Sequence, residues 1–353
     1  MEKELWKGNE AVAEAAIRAG CKYFFGYPIT PQNEIPEYLS LHLPKIGGCF
    51  LQAESEVAAI NMIYGAAGCG VRVMTSSSSP GISLKQEGIT YMCGAELPAV
   101  IVNMMRGGPG RGTIQPAQGD YYQATRGGGN GDYRHLVYAP ATIQEAADYV
   151  QMAFDVADYY RNPVMVVADG MIGQMMEAIE WRAPAKRELP EKTWATVGTK
   201  GERKPNVINS LYIDPNLCAE HNERLAAKYR AMEENETRYE TVNTEDCEVL
   251  FVAYGTPSRI TKAAIKLLEK EGIKAGLFRP ITLWPFPSKQ LKEVASQPSV
   301  KAVVDFELSM GQMIDDVKIA LEGCRPVSFV GKAGGVVPTP AEVASAAKAA
   351  IGR

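Results

Sequence analysis

The sequence predicts an α/β protein of doubly wound parallel sheets, arranged as two units. Three observations predict it. Short apolar runs alternate with amphipathic helical stretches in two series along the chain, the rhythm of β–α units that cover a parallel sheet on both faces. The central runs, such as PAVIVNMM at 98–105, are largely apolar throughout, as a strand covered on both sides requires. Between the series, residues 183–246 are rich in Lys, Glu, Arg and Asn and poor in long apolar runs. At 353 residues the chain has room for two cores.

The first unit, residues 1–182, opens with an amphipathic helix over 8–19, with Val12, Ala15, Ala16 and Ala19 on one face. An aromatic run from Tyr23 to Tyr27 follows and ends at Pro28. Residues 48–53 read as a strand and 54–69 as a helix, with Val57, Ile60, Ile63 and Tyr64 at helical spacing. A third strand covers 71–75 and stops at Ser76–Ser79. Pro80 suits the first turn of the next helix, where its missing N–H costs nothing. The buried strand 98–105, a helix over 142–160 and a strand over 163–169 complete the unit. Residues 183–246 read as a connecting segment over the protein surface, with a charged helix at about 215–236. The second unit, 247–353, repeats the pattern. Its strands are expected at 248–255, 274–280, 301–307 and 326–331, with helices at 257–272, 287–297, 310–323 and 339–351.

Composition narrows the function. Hydrophobic residues make up 46% and charged residues 22%, which excludes a wholly disordered chain. A net charge of −4 argues against a general nucleic-acid binder. No apolar run is long enough for a transmembrane helix, and the charged stretch MEKELWKGNEAVAEAA is not a secretory signal. The seven cysteines form no C-x-x-C pair and sit mostly beside apolar residues. They read as reduced thiols of a cytoplasmic protein, with no zinc or iron–sulfur site held by this chain alone. The three histidines, 42, 135 and 221, make no motif, and no metal ligand set is expected.

Ligands of open α/β sheets bind outside the carboxyl ends of the strands. Four segments of the first unit occupy such positions. Gly26–Pro31 encloses Ile29 and Thr30 between two prolines, a stiff turn that either presents a hydroxyl to a substrate or caps a helix near Gln32. Gln52–Glu56 opens a helix with Glu54 and Glu56. Both suit a first turn, but the neighbouring Val57, Ala58, Ala59 and Ile60 make a close-packing face against which a carboxyl is desolvated, the condition for sharing a proton with a heterocyclic nitrogen. Thr75–Gly81 offers hydroxyls and a helix start, either a cap or a polar edge for a cofactor. Arg106–Asp120 is long and Gly-rich, and such loops are either functional or disordered. Arg106 ends the buried strand and either clamps a carboxylate or faces solvent. No G-x-G-x-x-G after a first strand and no P-loop occurs.

Taken together, GNEAVAEAAIRAG, GYPITPQNEI, QAESEVAAINMIYGAA, TSSSSPGISL and VNMMRGGPGRGT resemble the 2-oxoacid:ferredoxin oxidoreductases, specifically the subunit with the pyrimidine-binding domain of thiamine diphosphate. VAYGTPSRI, LFRPITLWPFP and KAGGVVPTP resemble the transketolase C-terminal-like domain that follows it. Within the family the chain looks most similar to the branched-chain, 2-oxoisovalerate type. The resemblance implies that Glu56, with Glu54 as the other choice, bonds the aminopyrimidine ring nitrogen and activates the cofactor. It implies that Pro28, Ile29 and Ser79 line the cofactor, and that Thr30 and Arg106 hold the substrate.

Thiamine enzymes grip diphosphate and metal through G-D-G with an asparagine further on. Here only Ala168-Asp169-Gly170 occurs, and the next asparagine, Asn206, is too distant. The resemblance therefore implies half of each active site. A partner subunit brings diphosphate and Mg2+. An iron–sulfur, ferredoxin-like subunit carries [4Fe–4S] clusters, and a gamma-type subunit joins them. Ferredoxin is the acceptor and coenzyme A the co-substrate. Arg111, in the Gly-rich loop, keeps the 2-oxoglutarate type open, and the pyruvate type is a further alternative. Two other readings are a non-redox transketolase-like half and a non-catalytic scaffold.

Overall fold

The structure is a computed structural model that describes residues 3–353. Met1 and Glu2, the start of the charged N-terminal stretch, lie outside it. In chain order the elements are β1 (Glu4–Lys7), α1 (Gly8–Arg18), β2 (Tyr23–Gly26), α2 (Glu34–His42), β3 (Cys49–Gln52), α3 (Glu56–Gly68), β4 (Val73–Ser77), α4 (Ser79–Gly94), β5 (Ala99–Met105), α5 (Tyr121–Arg126), β6 (Leu136–Tyr138), α6 (Ile143–Tyr160), β7 (Pro163–Asp169), α7 (Gly170–Gln174), β8 (Met176–Ile179), α8 (Pro215–Glu236), β9 (Tyr239–Val242), β10 (Val249–Val252), α9 (Gly255–Lys270), β11 (Ala275–Pro280), β12 (Thr282–Trp284), α10 (Ser288–Ala295), β13 (Ala302–Glu307), α11 (Met313–Leu321), β14 (Val327–Gly331) and α12 (Pro340–Ala350).

A seven-stranded sheet runs β12-β6-β7-β5-β4-β2-β3 and a five-stranded one β14-β13-β10-β11-β9. All pairs are parallel except the edges, where β12 meets β6 and β9 meets β11 antiparallel. β1 and β8 form a separate antiparallel pair. All seven residues of β5 are buried. Its pleat sends Val100 and Val102 toward α1 and α6, packed with Val12, Val150 and Phe154. Ile101 faces the other way, into a cluster with Ile60, Ile63 and Ile82 that continues into Leu250, Val252 and Val303 of the second sheet. The doubly apolar run read from the sequence is thus explained strand by strand. Among the described residues no helix is long and apolar enough to cross a membrane.

Two short strands cross the division expected at 246. β9 lies inside 183–246 yet edges the second sheet, and β12 lies inside the second unit yet edges the first. At four and three residues, neither is long enough to show a periodicity. The charged helix at 215–236 forms as α8, and it buries Leu225, Tyr229 and Met232 in the first unit's core. The chain between Ile179 and Pro215 has no helix or strand. It is held to the first unit by Lys192–Asp158 at 2.6 Å and Thr196 N donating to Gly68 O at 2.9 Å.

The units are latched by polar contacts. Gln118 N donates to Leu308 O at 2.8 Å, while Leu308 N donates back to Gln118 Oε1 at 3.0 Å. Arg279 on β11 is buried and pairs with Glu145 of α6 and Glu240 of β9, each at 2.6 Å. Removing one member of a buried ion cluster strands the others. Arg279→Met is expected to lower unfolding free energy by about 3 kcal/mol, the low end for such pairs because both carboxylates keep some water. Urea unfolding measures this, and an unchanged midpoint would show that the latch contributes nothing.

Candidate active site

Because β2, β3, β4, β5 and β7 are parallel, their carboxyl ends meet along one sheet edge. All four candidate segments leave from that edge. Ser55 caps α3, its Oγ accepting from Ala58 N at 3.2 Å and donating to Glu54 at 3.0 Å. Glu54 is turned to solvent, whereas Glu56, the first residue of α3, is buried. Among the described residues the Glu56 carboxylate has no hydrogen-bond partner. It is pressed against α4 at Gly81, where a Cβ would lie 2.6 Å from Glu56 Oε1 and 2.1 Å from Ser77 Oγ. The hydroxyls of Ser77 and Ser78 are buried and unpartnered.

A second cluster joins the loops after β2 and β5. Arg106 Nη1 donates to Thr30 O at 2.9 Å and Nη2 to Arg111 O at 3.1 Å, and the buried Nε is unpaired. Ser79 Oγ accepts from Arg106 N at 3.0 Å and donates to Asp120 Oδ2 at 2.5 Å. Asn103 donates to the same oxygen at 2.9 Å and accepts from Ser79 N at 3.1 Å. Burial raises the Asp120 pKa, against the opposing bonds of Ser79 and Asn103 and the charge of Arg106. Thr30 Oγ1 accepts from Asn33 at 3.4 Å. Pro28 is exposed on the loop and Ile29 half-buried. The loop's far end is fixed by Gln32, which donates to Tyr27 O and accepts from Ser76.

The structure thus brings Thr30, Arg106 and Ser79 into one cluster and Glu56 into contact with the neighbouring turn of α4. Sequence reasoning missed Asn103, Asp120, Gln32 and Lys85. Asn103 left a signal, as the one amide in an otherwise apolar strand. Lys85 left one too, sitting one helical turn after Gly81 on the same face. Asp120 left none, because its partners lie in other segments.

The residues offer a heterocycle with a ring nitrogen the groups it would need: a buried carboxyl without a partner, two free hydroxyls, and a glycine whose missing side chain lets α4 close on that carboxyl. The Asp169-Gly170 turn does not fit a metal. Asp169 is buried, accepts from Met171 N at 3.0 Å to cap α7, and accepts from Thr256 N at 3.3 Å.

Comparison with known proteins gives consistent matches. Residues 14–241 match the family described as pyruvate flavodoxin/ferredoxin oxidoreductase, thiamine diphosphate-binding, and residues 247–343 match pyruvate:ferredoxin oxidoreductase core domain II. The chain is 49% identical to the ketoisovalerate oxidoreductase subunit VorB of Methanothermobacter marburgensis, over 95% of this chain and 94% of that protein. It is 36% identical to the 2-oxoglutarate synthase subunit KorA of Methanocaldococcus jannaschii, over 97% and 98%. A solved 2-oxoglutarate:ferredoxin oxidoreductase from Magnetococcus marinus, with 2-oxoglutarate, coenzyme A and succinyl-CoA bound, superposes with a TM-score of 0.87. It is 25% identical, over 99% of this chain and 65% of that one.

The contact at Gly81 makes a direct prediction. Gly81→Ala is expected to force α3 away from α4 at a cost of about 1–3 kcal/mol, as overpacking does, and to move Glu56 outward. Urea unfolding and a structure of the variant check it, and wild-type stability with Glu56 in place would mean that this contact does not set the separation of the helices.

Proposed function

Because the chain belongs to the 2-oxoacid:ferredoxin oxidoreductase family, we propose that it is the subunit that activates thiamine diphosphate and holds the substrate in a branched-chain 2-oxoacid enzyme. The reaction joins a 2-oxoacid and coenzyme A, releases CO2 and a proton, and passes two electrons singly to ferredoxin. The observation that carries this reading is the buried, unpartnered Glu56 carboxyl against Gly81, beside two free serine hydroxyls.

When bound, thiamine diphosphate supplies the electron sink that a 2-oxoacid needs to lose CO2. Glu56 would share a proton with the pyrimidine ring nitrogen, becoming a carboxylate when the ring nitrogen holds it, and its burial keeps water from competing. Arg106, steadied by the Thr30 and Arg111 carbonyls and with its Nε–H unpaired, would hold the substrate carboxylate. Thr30 orients the substrate, and Pro28, Ile29 and Ser79 line the cofactor. With Asp169 committed to backbone N–H groups, diphosphate and Mg2+ fall to a partner subunit. Iron–sulfur clusters fall to a ferredoxin-like subunit, a gamma-type subunit completes the complex, and a cytoplasmic location goes with this assembly.

A groove of about 490 Å3 beside Thr30 supports an apolar acyl chain. Ile114, Pro116, Met171 and Val337 line it beside the amides of Asn33, Gln115 and Gln174, and Glu34 is its charged residue. Burial pushes the Glu34 pKa up, but bonds from Lys7, Asn9 and Gln174 outweigh it and hold the carboxyl below its ordinary value. Glu34 is thus anionic at neutral pH and occupies the Lys7 ammonium at 2.6 Å, leaving the groove, among the described residues, no free cation for a second substrate carboxylate. The 2-oxoglutarate reading is favoured by the exposed Arg111 and by the 36% identity to a subunit of a 2-oxoglutarate synthase.

In the reconstituted complex, Glu56→Gln is expected to lower turnover by roughly 10²-fold or more, the scale of a positioned acid–base group. Near wild-type turnover would remove the assignment. A screen of 2-oxoacids is expected to give 2-oxoisovalerate a kcat/KM about 10-fold or more above that of 2-oxoglutarate, with Glu34→Gln narrowing the gap. Preference for 2-oxoglutarate would move the chain to that type.

A further inference from the structure

Lys85 is fully buried, in the second turn of α4. Its Nζ donates to Thr75 Oγ1 at 2.6 Å and to Ser76 O at 3.0 Å, both at the carboxyl end of β4. Among the described residues it makes no ion pair. Arg279, the other deeply buried cation, is held by two carboxylates. A lysine sealed from water with no counter-ion is a cost to the fold that an apolar side chain of similar length would avoid. Its surroundings indicate what the charge serves. Lys85 lies one helical turn from Gly81, which packs against Glu56. One face of α4 thus presents Gly81, Lys85 and Gly88 to the Glu56–Ile60 face of α3.

We propose that Lys85 is a positioning residue for the cofactor acid: its ammonium, tied to Thr75 and Ser76, supplies the charge that balances Glu56 when a docked heterocycle and the partner subunit exclude the last water from that carboxylate. This rests on the reading of Glu56 given above. Burial lowers the Lys85 pKa to about 7, with the charge of Glu56 opposing. Of the titratable groups on the surrounding elements, Glu56 of α3 is the one that acts on it. β4 offers the non-titrating Thr75 and Ser76, and Asp120 is turned to Ser79 and Asn103. Excluding water strengthens the attraction between the two charges. A lysine that is largely neutral at pH 8 in the open site therefore takes a proton from solvent as the site closes.

Calorimetric titration of thiamine diphosphate into the cofactor-stripped, reconstituted complex, in buffers of different ionisation enthalpy, measures that proton. Wild type is expected to take up about one more proton per site at pH 8 than at pH 6, where Lys85 is already charged. In Lys85→Met the extra uptake disappears and binding weakens by about 10-fold or more. Lys85→Gln, which keeps a hydrogen-bond donor but no charge, is expected to lose the uptake as well, separating charge from packing. A wild-type uptake that does not change with pH, or one that persists in either variant, overturns the proposal. Glu56→Gln in the same titration separates the two levels. If it binds and turns over like wild type, the underlying reading fails. If it is impaired while both Lys85 variants match wild type, this inference alone fails.

Discussion

The site depends on how closely α3 approaches α4. Two glycines set that distance. A Cβ on Gly88 would lie 2.5 Å from Ile60 Cγ1, and one on Gly81 would lie 2.6 Å from Glu56 Oε1. Seven residues apart, the glycines line one face of α4, and Glu56 and Ile60, four apart, line the opposing face of α3. Each glycine costs about 1 kcal/mol of helix propensity relative to alanine. The approach seals Ile60, Ile63, Ile82 and Ile89 from water, and each such side chain contributes about 1.5–3 kcal/mol. Apolar packing therefore outweighs the glycines and carries the Glu56 carboxyl into a place where, alone, it would not go. The acid is buried by the isoleucines that follow it in the helix rather than by any bond of its own.

The Gly-rich stretch after β5 is fixed by a different means. Read from composition, residues 106–120 are functional or disordered. In the structure they are pinned at both ends. Gly107 N donates to Gln115 O, Thr113 N donates to Gly107 O, and Gln118 exchanges two bonds with Leu308 of the second unit. Gly112, at φ +51°, has the Gly107 carbonyl where a Cβ would be, at 1.7 Å. Glycine here allows the loop to fold back on itself, which holds Arg106 between the Thr30 and Arg111 carbonyls. The far end of the same loop is held by the second unit, a long way off in sequence.

Much of this was legible from residue order. The apolar 98–105 run, the helix start near Pro80 and the second α/β series appear where periodicity and capping place them, while the helix expected from 54 begins at Glu56 because Ser55 caps it. The parallel order then brings four separate segments to one edge. Periodicity could not find β9 and β12, whose few residues gain their conformation from the strands they pair with. Nor could it find the Asp120–Ser79–Asn103 cluster, because a hydrogen bond between loops leaves no local pattern. The choice between Glu54 and Glu56 shows the same limit. Both suit a first helical turn, and the burial that separates them comes from Gly81 on another helix.

Glu56 and Asp169 follow parallel strands of the same sheet, and both open a helix, yet their fates are opposite. Asp169 caps a five-residue helix and also accepts from Thr256 N at the start of α9. Each of its oxygens is therefore held by a backbone N–H, one from each unit, and the turn that would resemble a metal-binding motif serves as a latch between units. Glu56 caps nothing, because Ser55 has taken that role, and so its oxygens stay free although buried. A serine one residue ahead leaves one acid open to a ligand, and a neighbouring backbone N–H closes the other. This difference in capping leaves a free carboxylate at one end of the sheet edge and a latch between the units at the other.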